Sequence, residues 1–135
     1  MDTAISIEEV KQRLSMMGFD AASETDDAEI SFLIEKVTNY TMNYCYIGFD
    51  EIPEIIRPKM LDKIAAGFLY ERKNFGQLSG FDYSTAIREI REGDTTIQYG
   101  VGDSYDTPES RFDWMVRELD KAYDKWITPY RRLRW

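Results

Sequence analysis

Ala86-Ile87-Arg88-Glu89-Ile90-Arg91-Glu92-Gly93-Asp94-Thr95-Thr96-Ile97-Gln98-Tyr99-Gly100 is the stretch on which the fold class turns. The long apolar patterns elsewhere in the chain have a helical period, so this segment decides between an all-helical protein and a helical one carrying a small sheet. Ile87, Glu89 and Arg91 alternate with Arg88, Ile90 and Glu92, the two-residue period of a strand. Gly93-Asp94 then precedes the β-branched run Thr95-Thr96-Ile97, and glycine supplies the positive φ of a tight turn. The segment therefore predicts a two-stranded hairpin over 86–100. A lone hairpin is marginal in water, so helices or a neighbouring subunit must cover it. Its mixed charges at Arg88, Glu89, Arg91 and Glu92 either keep a solvated edge from pairing, which is the simpler reading, or pair across subunits.

On both sides of this segment the pattern is helical. Ser6-Ile7-Glu8-Glu9 is a capping box, and Ile7, Val10, Leu14 and Met17 recur at helical spacing before Gly18 stops the run. Asp26-Asp27-Ala28-Glu29 predicts a second helix start, with Ile30, Leu33, Ile34, Val37, Tyr40 or Thr41, and Tyr44 forming its stripe. Pro58 suits the first turn of a third helix, whose Met60, Leu61, Ile64, Ala65, Phe68 and Leu69 are broadly apolar and predict a central position. That helix should stop near Asn74-Phe75-Gly76. Thr107-Pro108-Glu109 opens the last helix, which carries Phe112, Met115 or Val116, Leu119, Ala122 or Tyr123, and Trp126 and stops at Thr128-Pro129. The expected fold is mainly α: a compact bundle of about four helices, with the hairpin between the third and last long ones. Residues 1–128 form a single domain and 129–135 a basic, aromatic C-terminal arm.

The bulk numbers agree with a self-sufficient domain. A chain of 135 residues with 43% hydrophobic content can hide roughly two-thirds of its unfolded surface. No apolar run reaches the roughly 20 residues of a membrane span, and Met1 to Val10 lack the pattern of a signal peptide. The sequence has one cysteine, Cys45, and no histidine, so an internal disulfide, the usual zinc sites and histidine-based catalysis all lose their parts. No cofactor, metal or catalytic residue is expected, and the chain is not read as an enzyme.

Net charge is -8 and unevenly spread: residues 1–110 hold 10 Lys and Arg against 21 Asp and Glu, and residues 111–135 hold 7 against 4. An acidic body opposes binding to nucleic-acid phosphates. The aromatic series Tyr40, Tyr44, Tyr46 and Phe49 is expected to pack in the core rather than stack bases, and Met16-Met17 to fill it. Asp26, Asp27 and Glu29 read as helix-start acids in preference to a cation site, and Gly100-Val101-Gly102 as a linker.

The segment Tyr130-Arg131-Arg132-Leu133-Arg134-Trp135 is the most informative peptide, because arginine, tyrosine and tryptophan dominate binding hot spots. It either docks on a partner or folds back, with Trp135 on the last helix and its arginines solvated.

Taken together, the order of features resembles the head-tail connector (adaptor, or head-completion) family of long-tailed phages and prophages. The likeness is carried by Ile87-Arg88-Glu89-Ile90-Arg91-Glu92-Gly93-Asp94-Thr95-Thr96-Ile97 and by the ending Pro129-Tyr130-Arg131-Arg132-Leu133-Arg134-Trp135. The resemblance implies a structural subunit, usually twelve copies when docked, forming a ring beneath the portal protein; weak single contacts made effective by ring closure would let the free subunit wait as a monomer. DNA would pass through without specific binding, and a stopper or tail-completion protein would follow below. The protein would lie in host cytoplasm before assembly and in the virion neck afterwards, with no membrane contact. By position, Tyr130, Arg131, Arg132, Leu133, Arg134 and Trp135 would be the portal-binding arm. Ile87, Ile90, Gly93, Asp94, Ile97 and Tyr99 would be candidates for subunit or channel contact. The competing expectation is a small helical regulatory or peptide-binding module that uses its basic arm on an acidic partner.

Overall fold

A computed structural model of the chain describes residues 5–78, 80–93 and 107–132. Among them are five α-helices and no strand. Helix α1, Ile7–Met16, begins at the expected capping box: Ser6 Oγ accepts from the Glu9 amide at 3.2 Å, and Glu9 Oε1 accepts from the Ser6 amide at 3.2 Å. Gly18, at φ +95°, turns the chain out of it. Helix α2, Glu24–Cys45, starts earlier than the Asp26-Asp27 pair suggested, because Ser23 is the cap and Asp26 is the reciprocal acid of its capping box. Helix α3, Arg57–Asn74, carries Pro58 in its first turn. Helix α5, Pro108–Ile127, is capped by Thr107, whose Oγ1 accepts from the Ser110 amide at 3.1 Å.

The segment 86–93 departs from expectation. Tyr83–Gly93 is a helix, α4, and not the first strand of a hairpin. Strand alternation would set Ile87 and Ile90 on opposite faces, whereas the helix gathers Tyr83, Ala86, Ile87 and Ile90 onto one buried face. Burial of the two isoleucines alone is worth about 3 kcal/mol or more. The start is fixed by Asp82, whose carboxylate accepts from the Ser84 amide and the Thr85 hydroxyl, each at 3.0 Å. Arg13 on α1 then reaches across, donating to the Glu89 carboxylate and to the Glu89 carbonyl, each at 2.8 Å. Asp94, Ile97 and Tyr99, the turn and second strand of the expected hairpin, lie outside the described residues, as does Gly100-Val101-Gly102.

Helix α3 touches each of the other four helices and is the axis of the bundle. Its buried Met60, Ile64, Ala65, Ala66, Phe68 and Leu69 point in several directions, as a helix surrounded by others requires. Arg72 near its end pairs with Asp26 and Glu29 near the start of α2, so these helices run antiparallel. Lys73 with Asp113 at one end, and Lys59 over the Trp126 ring at the other, set α5 antiparallel to α3 as well. Helices α2 and α5 therefore lie parallel on α3, with α1 against α2 and α3 and α4 against α5 and α3. The buried apolar side chains of these helices belong to one cluster. Met17 is inside it, while Met16 is 58% exposed. No helix among the described residues is long and apolar enough to cross a membrane.

Candidate functional site

The parallel halves of α2 and α5 meet along a polar seam. Tyr40 donates to Asp124 at 2.5 Å, Thr41 and Tyr123 share a hydrogen bond at 2.5 Å, and Tyr44 bonds Thr128 at 2.8 Å. The Cys45 thiol contacts the Ile127 carbonyl at 3.4 Å. Partners four residues apart on both helices recur once per turn, so the seam is a consequence of helical period. Burial, and then the bond to Asp124, push the Tyr40 hydroxyl above its usual titration range. Burial does the same to Tyr123 and to the Cys45 thiol.

Of the aromatic series expected to pack in the core, Tyr44 lies partly buried against it, whereas the other three do not fill it. Tyr40, Tyr46 and Phe49 are each about two-fifths exposed, because the inward positions are taken by Val37, Thr41 and Cys45. Tyr40 and Tyr44 stack with centroids 5.9 Å apart along the rim of the seam.

Where α2 ends, the chain turns through Tyr46 in the left-handed region, φ +57° and ψ +45°. Glycine is the usual residue there, and a side chain costs about 1 kcal/mol. Gly48 and the short 3-10 turn Phe49–Glu51 follow. The chain leaving α5 passes through a second 3-10 turn, Thr128–Tyr130, and returns to this point. The Arg132 amide donates to the Cys45 carbonyl at 2.8 Å, and Arg131 Nε donates to the Tyr44 carbonyl at 2.9 Å. Both are carbonyls that the end of a helix leaves without intrahelical partners. The Arg131 guanidinium lies 4.8 Å from the Tyr44 ring centre and 5.5 Å from that of Tyr46, within cation-π range of both. Glu51 works in two directions: one oxygen accepts from the Gly48 amide at 2.8 Å, and the other pairs with Arg132. Beside them is an open cleft of about 760 Å³, walled by Met42, Asn43, Ile47 and Arg132.

Of the residues singled out from sequence, Arg131 and Arg132 come together here on the end of α2, and Tyr130 closes the 3-10 turn before them, partly exposed. Leu133, Arg134 and Trp135 lie outside the described residues. Ile87 and Ile90 are elsewhere, on the buried face of α4. Gly93 is the last residue of α4. Sequence reading missed Tyr44, Tyr46 and Glu51 as partners of the arm. The available signal was Glu51 three residues after Gly48, the spacing at which a carboxylate closes back on an amide.

Asp26 and Glu29 are both engaged by Arg72, and no cluster of metal-ligating side chains occurs among the described residues. A scan of protein-family models and searches of curated proteins and of solved structures find no match to this chain.

Proposed function

We propose that this protein is a head-tail connector subunit of a long-tailed phage or prophage, a structural part and not an enzyme. In this reading several copies, twelve in the ring, assemble under the portal protein and extend the DNA channel toward a stopper or tail-completion protein. The observation that carries the reading is the pairing of a mainly helical body with a basic, aromatic peptide at 129–135. Its first arginines are pinned to the body, which gives the rest a fixed point of departure. A single peptide of this size buries little surface, but ring closure makes each later contact effectively intramolecular and raises avidity. A body with net charge -8 suits a conduit that must release DNA.

Co-sedimentation with a portal ring from the same genome tests the reading. The full chain should pellet with the ring, a chain ending at Arg132 should lose most binding, and one ending at Thr128 should lose it entirely. The comparison separates the contribution of Leu133, Arg134 and Trp135 from that of the clasp at Arg131 and Arg132. Failure of the full chain to pellet at any salt concentration would sink the connector reading. A regulatory module that grips an acidic peptide would then take its place, since the outward guanidinium of Arg131 suits either partner.

A further inference from the structure

We propose that Arg131, held between Tyr44 and Tyr46, is a preorganised docking point for a carboxylate side chain of a partner protein. The inference rests on the connector reading, in which that partner is the portal.

Three observations converge on this group. First, Arg131 is already held before any partner arrives: its Nε is spent on the Tyr44 carbonyl and its guanidinium lies within cation-π range of two rings. An arginine fixed in this way loses little rotamer freedom on binding, a cost that free surface arginines bear in full. Second, its two terminal nitrogens have no hydrogen-bond or ion-pair partner among the described residues, while the neighbouring Arg132 is taken by Glu51. Two parallel N–H donors at the exposed end of a guanidinium match the two oxygens of a carboxylate. Third, the flanking ring of Tyr46 is bought at the expense of a left-handed backbone, where glycine would relax the turn. Its covering of Arg131 is what the glycine could not supply.

Tyr46, Phe49 and Tyr130 are all partly exposed on the turns that meet here, the composition of a hot spot that excludes water from a central charge. Phosphate shares the geometry of a carboxylate with arginine, but the acidic body repels a polyanion, whereas one carboxylate among apolar neighbours meets no such opposition.

The test uses the full chain and its portal ring, with wild type, Arg131→Lys and Tyr46→Gly compared for affinity and thermal midpoint. Arg131→Lys keeps the charge and removes the fork, and binding should weaken about tenfold. Tyr46→Gly should melt at the same temperature or higher and still bind about tenfold more weakly, a combination that general loss of structure does not produce. If either variant folds and binds like wild type, the docking point is wrong while the connector reading survives. If the wild-type chain does not bind the portal, both fall. If duplex DNA displaces the portal from the wild type at matched salt, the fork serves phosphates and the carboxylate assignment is overturned.

Discussion

Arg13 shows how much of this fold one side chain can hold. Its guanidinium joins three helices, reaching Asp62 on α3 at 2.6 Å and both the carboxylate and carbonyl of Glu89 on α4. Asp62 is only 5% exposed, so Arg13→Ala takes a charge partner from a buried carboxylate and should cost about 3 kcal/mol in urea unfolding. Arg13→Lys, a point charge without the fork, should recover only part of that. Two glutamates behave in opposite ways with pH. Arg57 beside Glu9 holds that carboxyl below its usual range, so its contribution is present above the unfolded value of about 4.3 and is lost as pH falls through the lower folded value. Burial, then a hydrogen bond and repulsion from Glu29, push Glu71 up against the opposing pull of Lys36. Its folded form holds the proton more tightly than the unfolded chain, so stability is gained on acidification through the raised value and forfeited when the group ionises above it. Glu71→Gln should therefore raise the thermal midpoint near neutral pH, by a stability increment of up to about 0.5 kcal/mol, and have little effect in acid.

Among the elements, α4 teaches most about legibility. The Ser6 capping box, the acidic start of α2, Pro58 and Thr107-Pro108 revealed the other helices because each is a local backbone device that reads much the same in any context, although the α2 start was placed a few residues late. Ile87-Arg88-Glu89-Ile90-Arg91 is ambiguous over its own length: the two isoleucines are three apart, and the charges between them fit either period. Two nonlocal facts decide it, the continuation of the apolar face back to Tyr83 and Phe112 in α5, and the grip of Arg13. Arg, Glu and Ala are also better helix formers than strand formers, a signal that the Gly93-Asp94 pair outweighed. Ile90→Ala should cost about 2–4 kcal/mol, whereas Arg88→Ala, on the exposed face, should stay within about 0.5 kcal/mol. Carbon chemical shifts over Ala86 to Arg91 should be helical throughout; extended values there would contradict α4. The arm was legible as chemistry but not as geometry, since nothing in Tyr130-Arg131-Arg132 names the carbonyls of Tyr44 and Cys45 as its acceptors.

At the scale of the molecule, one buried cluster draws on every helix, with α3 at its centre. Unfolding should therefore be a single transition, with far-ultraviolet circular dichroism and the fluorescence of buried Trp114 falling together. Separate midpoints would mean that α1 or α4 detaches on its own. The seam between α2 and α5 also carries a clock. Cys45 is the only cysteine in the sequence, fully buried, with its sulfur on the Ile127 carbonyl and its own carbonyl held by Arg132. A thiol reagent reaches that sulfur only while α5 or the returning chain has lifted away, so the half-life of alkylation reports how often and for how long this end of the protein breathes.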